Sequence, residues 1–201
     1  EHGTWTDFDE LLAAVHGRGM RLVLDMVLNH TSDQHPWFRE ALRRQDSQER
    51  DFYIFRRGRG KDGRLPPNNW RSMIGPRGWH RDPASGEWYF ASFLPFQPDL
   101  NHRNPKAQQA MLAIIEGFLR RGVDGLRLDA VPYLFERAGT NCENLAETHV
   151  FLKRLRAFMD ERWPARLILA EANQWPADVR PSFGDDDGCH MAFHFPLMPR
   201  I

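Results

Sequence analysis

The chain of 201 residues has 27 basic and 27 acidic side chains, and this balance gives no indication of a nucleic-acid or other polyanionic partner. No apolar run is long enough to span a bilayer, so a membrane partner is not expected. Having only two cysteines favours a reducing compartment, the cytoplasm, over a disulfide framework. The first residue is Glu1 rather than Met, and we expect the sequence to be an internal piece of a longer protein.

The first predicted elements are a helix and a buried strand. Thr6 followed by Asp9 has the capping-box spacing and predicts a helix start. Residues 21–28 are apolar and hardly alternate, as is typical of strands in parallel sheets. We therefore expect a buried strand there, ending just before Asn29.

The stretch of residues 31–103 differs in composition from its surroundings. It is rich in Arg, Gly, Pro, Asn and Trp and lacks a long periodicity. Within it, residues 56–64 predict an exposed, mobile loop, and residues 87–93 predict a strand. A connection this long between a strand and the next helix is usually functional or a small subdomain. We expect an inserted domain that lies over the site.

Helices and strands then alternate along the rest of the chain. Pro105 predicts the first turn of one helix, and Asn144 followed by Glu147 predicts the start of the next. Strands are expected at residues 123–128 and 166–170. This order predicts an α/β fold with a parallel sheet, and parallel β/α barrels carry their chemistry at the carboxyl ends of the strands.

Two acids at strand ends are the best candidates for chemistry. Asp129 ends one apolar strand and Glu171 follows another. Arg127 lies two positions before Asp129, on the same face of the strand, and would keep that carboxylate ionised. The aliphatic strand before Glu171 would place its carboxyl in a drier environment, raise its pKa and hold its proton. Such a pair, about 5–5.5 Å apart, cleaves glycosides with retention. The alternative is that Asp129 is only a helix-cap or loop acid.

Two other residues near these strands have a predicted partner or role. Asp25 lies within a strand, where an acid is costly unless it is paired, and Arg127 is its natural partner. His30 follows the end of the same strand. Its ring is either a satisfied loop imidazole or, beside the two acids, a hydrogen-bond donor to a sugar hydroxyl.

Four short segments resemble signatures of one enzyme family. Residues 25–30, 97–101 and 125–131, and Glu171 after Leu-Ile-Leu-Ala, are similar to the motifs of the α-amylase superfamily, glycoside hydrolase family 13. The resemblance implies a (β/α)8 TIM barrel with domain B inserted after the third strand, and implies that this chain is a fragment of it without the first and last barrel units. The implied division is a catalytic-barrel segment at residues 1–30, domain B at 31–103 and a further catalytic-barrel segment at 104–201.

The same resemblance implies roles for five residues. It makes Asp129 the nucleophile and Glu171 the acid/base, with His30, Arg127 and Gln97 contacting the sugar. The third acid of the family follows a later strand and is not on this sequence, so we expect residues 1–201 to be inactive alone.

The resemblance also divides between two activities. Residues 132–149, 171–179 and 189–201 are similar to trehalose synthases, which isomerise maltose, whereas residues 67–70 and 93–99 are similar to α-glucosidases and oligo-1,6-glucosidases. Maltose isomerisation to trehalose is therefore expected, with hydrolysis as the alternative, on a disaccharide or short α-glucan. A non-catalytic family member is a lesser alternative, since both acids are present.

Metal binding is the remaining prediction, and no organic cofactor is expected. Trehalose synthases carry a calcium site, and oxygen donors suit Ca²⁺. The matching positions are Asn29, Asp99, Tyr133, Leu134 and Glu136. The alternative is that these groups bond only to backbone. A zinc site at Cys189, His190 and His194 is a weaker alternative to a buried strand and turn.

Overall fold

The computed structural model describes residues 3–195 and 197. In chain order its elements are α1 (Trp5–His16), β1 (Val23–Val27), α2 (Pro36–Arg43), β2 (Phe55–Arg56), β3 (Trp79–Arg81), β4 (Trp88–Phe90), α3 (Pro105–Arg121), β5 (Gly125–Asp129), α4 (Ala146–Arg162), β6 (Leu167–Ala170), α5 (Pro176–Val179) and β7 (Met191–Ala192). Short 3₁₀ turns lie at Gln48–Phe52, Val131–Tyr133 and Arg180–Ser182.

The chain divides into two compact units. The first takes in the chain up to Met26, Met111–Pro132 and the chain from Asn144 onward. The second consists of Val27–Ala110 and Tyr133–Glu143. The second unit thus contains the predicted insert at residues 31–103, together with residues on either side of it and the loop after β5.

A four-stranded sheet with the order β1-β5-β6-β7 forms the centre of the first unit. β5 pairs with β6, and β6 with β7, in parallel, which confirms the predicted α/β class. Gly125 faces Leu167 so closely that a Cβ on it would lie 2.7 Å from the Leu167 Cβ, so the close pairing of β5 and β6 needs a glycine there.

Two details of the first unit differ from the sequence expectations. The capping box of α1 is formed by Thr4 and Asp7, not by Thr6 and Asp9, because the earlier start brings Trp5 onto the helix and against other aromatic rings. β1 was expected to be buried, but it is the edge strand of the described sheet, and alternate residues of it are exposed.

A three-stranded antiparallel sheet with the order β2-β4-β3 lies in the second unit. Its core is a cluster of Ile54, Trp70, Trp79 and Phe90. The predicted strand at residues 87–93 is shorter than expected, since only Trp88–Phe90 are in strand conformation.

The predicted loop at residues 56–64 forms a closed hairpin. Arg59 and Leu65 exchange two backbone hydrogen bonds of 2.8 and 3.1 Å, and the indole of Trp88 donates to the Gly63 carbonyl at 3.0 Å. Its side chains are mostly exposed, as predicted. Across the described residues, no helix combines the length and apolarity that a bilayer span requires.

Candidate active site

The register of β5 and β6 brings the two predicted catalytic acids to one edge of the sheet. Asp129 is the last residue of β5, and Glu171 directly follows β6. The backbone N–H of Glu171 donates to the Leu128 carbonyl at 2.9 Å, and the N–H of Val131 donates to the Glu171 carbonyl at 3.2 Å. The ladder thus continues past both strand ends and fixes the two backbones against each other.

A single guanidinium binds three carboxylates at this edge. Arg127 Nη1 donates to Asp129 Oδ1 at 2.6 Å and to Asp25 Oδ1 at 2.7 Å. Arg127 Nη2 lies 2.8 Å from Glu171 Oε1. The predicted pairing of Asp25 with Arg127 is confirmed. The side chains of Asp129 and Glu171 are 23% and 26% exposed, so both remain open to a small molecule.

The surroundings of Glu171 favour its protonated form. Its pKa is raised, first by burial and next by a hydrogen bond with Asp129, while the charge of Arg127 acts in the opposite direction. The direction of this pKa shift is the one expected from the aliphatic strand that precedes Glu171.

Ala130, between the nucleophile candidate and its 3₁₀ turn, has a left-handed backbone with φ of +52°. This conformation costs a non-glycine residue roughly 1–2 kcal/mol. Its N–H donates to Glu171 Oε2 at 3.3 Å. The strained turn therefore directs a backbone donor at the second acid, and strain of this kind is often found at functional sites.

His30 and Gln97 lie together in the second unit. His30 Nε2 is 3.0 Å from Gln97 Nε2, and the His30 ring packs against Phe93 with centroids 5.5 Å apart. Phe93 packs edge-on against Tyr133 at 5.5 Å. Sequence reasoning did not single out Phe93 as a site residue, because an aromatic residue alone does not distinguish a binding wall from a core. That His30, Gln97 and Arg127 contact one sugar stays a prediction.

Three of the predicted calcium ligands are buried side chains of the second unit. Asn29, Asp99 and Glu136 are 1%, 0% and 5% exposed. Burial raises the pKa of Asp99 to about 7 and the pKa of Glu136 well above its usual value, with the charge of Asp99 adding to the shift of Glu136. Glu136 Oε1 has no hydrogen-bond partner among the described residues.

Two adjacent buried carboxyls and an orphaned oxygen fit the chemistry of a hard cation. With only two acids present, such a site would also need the Asn29 amide and backbone carbonyls, for which Tyr133 and Leu134 are the sequence candidates. No group of three or more His, Cys, Asp or Glu residues that could hold a metal occurs in the described part of the chain.

The zinc alternative is not supported by the surroundings of its residues. Burial raises the pKa of the Cys189 thiol to about 12, which opposes the thiolate that zinc needs. His190 Nδ1 accepts the backbone N–H of Ile168 at 3.1 Å. These contacts are those of a packed segment that leads directly into β7.

Asn144 does not begin a helix, contrary to the sequence expectation. α4 starts at Ala146 after Leu145, and Asn144 instead has a left-handed backbone. Its N–H donates to the Pro132 carbonyl at 2.8 Å. Its side-chain amide donates to Gln174 Oε1 at 2.6 Å and to the Asp178 carbonyl at 2.8 Å. It therefore joins the loop after β5 to the loop after β6.

Comparisons with known proteins agree with this geometry. A family model described as the alpha amylase catalytic domain matches residues 1–200. Trehalose synthase/amylase TreS of Mycolicibacterium smegmatis is 52% identical over 207 residues, covering 100% of this chain and 34% of that protein. A probable alpha-glucosidase of Rhizobium meliloti is 36% identical, covering 98% of this chain and 41% of that protein.

The fold comparison gives the same result. The solved structure of the alpha-glucosyl transfer enzyme XgtA superposes with a TM-score of 0.89 at 32% identity, covering 97% of this chain and 41% of that chain. With the parallel sheet, this likeness confirms the predicted partial (β/α)8 barrel. The chain spans about a third of the length of the trehalose synthase relative.

Proposed function

Because this chain belongs to the α-amylase catalytic-domain family, we propose that it supplies the two carboxyls of a retaining α-glucosyl transfer on maltose-type α-1,4-glucosides. The reaction we favour is the isomerisation of maltose to trehalose. The observation that carries the proposal is that the Glu171 and Asp129 carboxyls share one guanidinium, with Arg127 Nη2 2.8 Å from Glu171 Oε1 and Arg127 Nη1 2.6 Å from Asp129 Oδ1. Retaining enzymes hold their two carboxyls about 5–5.5 Å apart, and carboxyls bound to neighbouring nitrogens of one guanidinium can be this close.

The first step uses the different charges of the two acids. Asp129 attacks the anomeric carbon and forms an ester with it, while the glycosidic bond breaks. Glu171 gives its proton to the departing glucose oxygen, which leaves as a hydroxyl. The raised pKa of Glu171 favours the protonated form that this step needs.

The second step determines the product. In the isomerase, the released glucose stays in the closed site and its anomeric hydroxyl attacks the esterified carbon. Glu171 takes the proton of that hydroxyl, the bond to Asp129 breaks, and trehalose forms. In a hydrolase, water takes the place of the glucose. Exclusion of water therefore decides between the two activities.

The hydrolase remains the second candidate. Its support is the similarity of the chain to a probable alpha-glucosidase at 36% identity. The higher identity of 52% to a trehalose synthase favours the isomerase.

Calcium is included in the proposal. Asn29, Asp99, Glu136 and the carbonyls of Tyr133 and Leu134 would hold the ion. It would offset the repulsion between the two buried carboxyls, and so act on structure rather than on the bonds that break.

Incubating the full-length protein with maltose and separating the sugars by chromatography tests the proposal. We expect trehalose as the main product, and a loss of maltose turnover in the variant Glu171→Gln. Glucose without trehalose would replace the isomerase by the hydrolase. Unchanged turnover in Glu171→Gln would overturn the proposal as a whole.

Residues 1–201 alone are expected to show no turnover. The third acid of the family has no match in this sequence, and β1 is an edge strand of the described sheet. Turnover of maltose by the purified segment would contradict this expectation.

A further inference from the structure

We propose that Asn144 is a positioning residue that holds the loop after Glu171 against the loop after Asp129, and thereby keeps Glu171 aligned to protonate the leaving group. The inference rests on the proposed function, because it assumes Glu171 as the acid. The hydrogen bonds of Asn144 go to Pro132, Gln174 and Asp178 rather than to either carboxyl, so its effect would pass through the segments that it joins.

The contacts of Asn144 reach both loops at once. Its backbone N–H binds Pro132, three residues after Asp129, at 2.8 Å. Its side-chain amide binds Gln174, three residues after Glu171, at 2.6 Å, and the Asp178 carbonyl at 2.8 Å. A backbone carbonyl can only accept, so the contact with Asp178 fixes which end of the amide is the NH₂ group.

The backbone conformation and the buried oxygen of Asn144 are unfavourable for the stability of the fold, which argues that its contacts with the two loops are not incidental. Asn144 has a φ of +50°, and its Oδ1 is buried without a hydrogen-bond partner among the described residues. Asparagine tolerates the left-handed region better than most residues, but an unpaired buried acceptor is unfavourable. Such a residue persists when the contacts around it determine its conformation.

The bracing acts on Glu171 more than on Asp129. Asp129 is the end of a paired strand, whereas Glu171 begins a loop that turns back at once, with the Gln174 N–H donating to the Ala172 carbonyl at 2.9 Å. The Asn144 amide binds this loop at Gln174 and binds the following helix α5 at the Asp178 carbonyl. Its loss would loosen the loop that follows Glu171 and alter the angle at which the Glu171 carboxyl is presented, although the contacts of this carboxyl with Arg127 and Ala130 remain.

Two variants separate the side chain from the backbone. Asn144→Gly keeps the left-handed backbone without strain but loses the amide. Asn144→Asp keeps the shape but presents an acceptor where a donor is needed. Asn141→Ala is the matched control, since its side chain accepts the N–H of Glu143 in the same loop, at 3.3 Å, and makes no other hydrogen bond to the described residues.

The test compares two substrates of the full-length protein. Maltose needs protonation of its leaving group, whereas α-glucosyl fluoride loses fluoride with little help from an acid. For both Asn144 variants we expect kcat/KM on maltose to fall about 10–100-fold, and that on α-glucosyl fluoride to change by less than about threefold. Asn141→Ala should change neither.

An equal loss on both substrates, or no loss in either Asn144 variant, would overturn the inference. Measuring the thermal unfolding midpoints of the two Asn144 variants and of the control checks that the kinetic comparison is made between folded proteins. The proposed function fails by a different result, the unchanged maltose turnover of Glu171→Gln. The two failures are therefore distinguishable.

Discussion

Arg127 Nη2 lies 2.8 Å from Oε1 of Glu171, yet the pKa of Glu171 is above its usual value. Burial, together with the hydrogen bond to Asp129, outweighs the attraction of the guanidinium for a charged Glu171. The same guanidinium is shared with Asp25 and Asp129, so its charge is not available to Glu171 alone. The shared cation therefore does not prevent Glu171 from holding a proton more readily than an ordinary glutamate.

The first prediction concerns the pH dependence of the reaction. Glu171 must be protonated to release the leaving group, so kcat/KM on maltose should fall as the pH rises through its pKa. Since that pKa is raised, the alkaline limb should lie above the ordinary glutamate value of about 4.3. The pH profile of kcat/KM for the full-length protein measures the limb.

The control for this prediction is Glu171→Gln, which should lower kcat/KM on maltose about 10²–10⁴-fold and remove the alkaline limb. If the limb persists in this variant, another group carries the proton.

The second prediction concerns the shape of the cation. Arg127→Lys keeps the charge but cannot bind Asp129 and Glu171 through two separate nitrogens. We expect kcat/KM on maltose to fall about 10²-fold, because the two carboxyls lose their common anchor. Steady-state kinetics of the full-length protein provide the measurement.

Asp25→Asn is the matched comparison for Arg127→Lys. It removes the most exposed of the three acid partners, whose side chain is 62% exposed, and leaves Asp129 and Glu171 bound. Its effect on kcat/KM should stay within about tenfold, since exposed ion pairs contribute little. A larger effect in Asp25→Asn than in Arg127→Lys would contradict the role given to Arg127.

The acids at the strand ends could be predicted from sequence, whereas the connections between the loops could not. Asp129 and Glu171 follow from strand periodicity and from the shared edge of parallel strands, which are local rules. The role of Asn144 depends on partners 12 or more residues away in the chain, and its spacing to Glu147 fits a helix cap equally well.

Helix starts and strand exposure show the same limit. Thr4 with Asp7 and Thr6 with Asp9 have identical spacing, and only the packing of Trp5 against Phe118 at 5.4 Å favours the earlier start. The exposure of β1 depends on its place in the sheet order, which its apolar sequence does not reveal.

The third prediction concerns calcium. If the ion binds between Asp99 and Glu136, it should raise the thermal unfolding midpoint of the full-length protein and give a binding signal in calorimetry with Ca²⁺ alone. Glu136→Gln should abolish both effects, because it removes one of the two buried charges. An unchanged midpoint on addition of Ca²⁺ or of a chelator would exclude the site.

The fourth prediction concerns stability at low pH. Burial acts to raise the pKa of Asp124, but hydrogen bonds from the Leu22 N–H, His16 and Arg21 lower it to about 2. Asp124 Oδ2 lies 2.7 Å from His16 Nε2, and Asp124 Oδ1 lies 2.9 Å from Arg21 Nη1. A depressed carboxyl pKa stabilises the fold above the unfolded value of about 3.9, and this stabilisation is lost as the pH falls toward about 2.

Asp124→Asn should therefore lower the free energy of unfolding at neutral pH by about 1–3 kcal/mol, because the hydrogen-bond donors around this buried carboxylate lose a charged acceptor. The difference between the variant and the unchanged protein should shrink as the pH is lowered below about 4, where Asp124 begins to lose the advantage of its charge. Urea unfolding of the full-length protein at several pH values measures this, with Asp62→Asn as the control, since Asp62 is exposed and lies 4.0 Å from Arg64. A difference that stays constant down to about pH 2 would show that the Asp124 charge does not stabilise the fold.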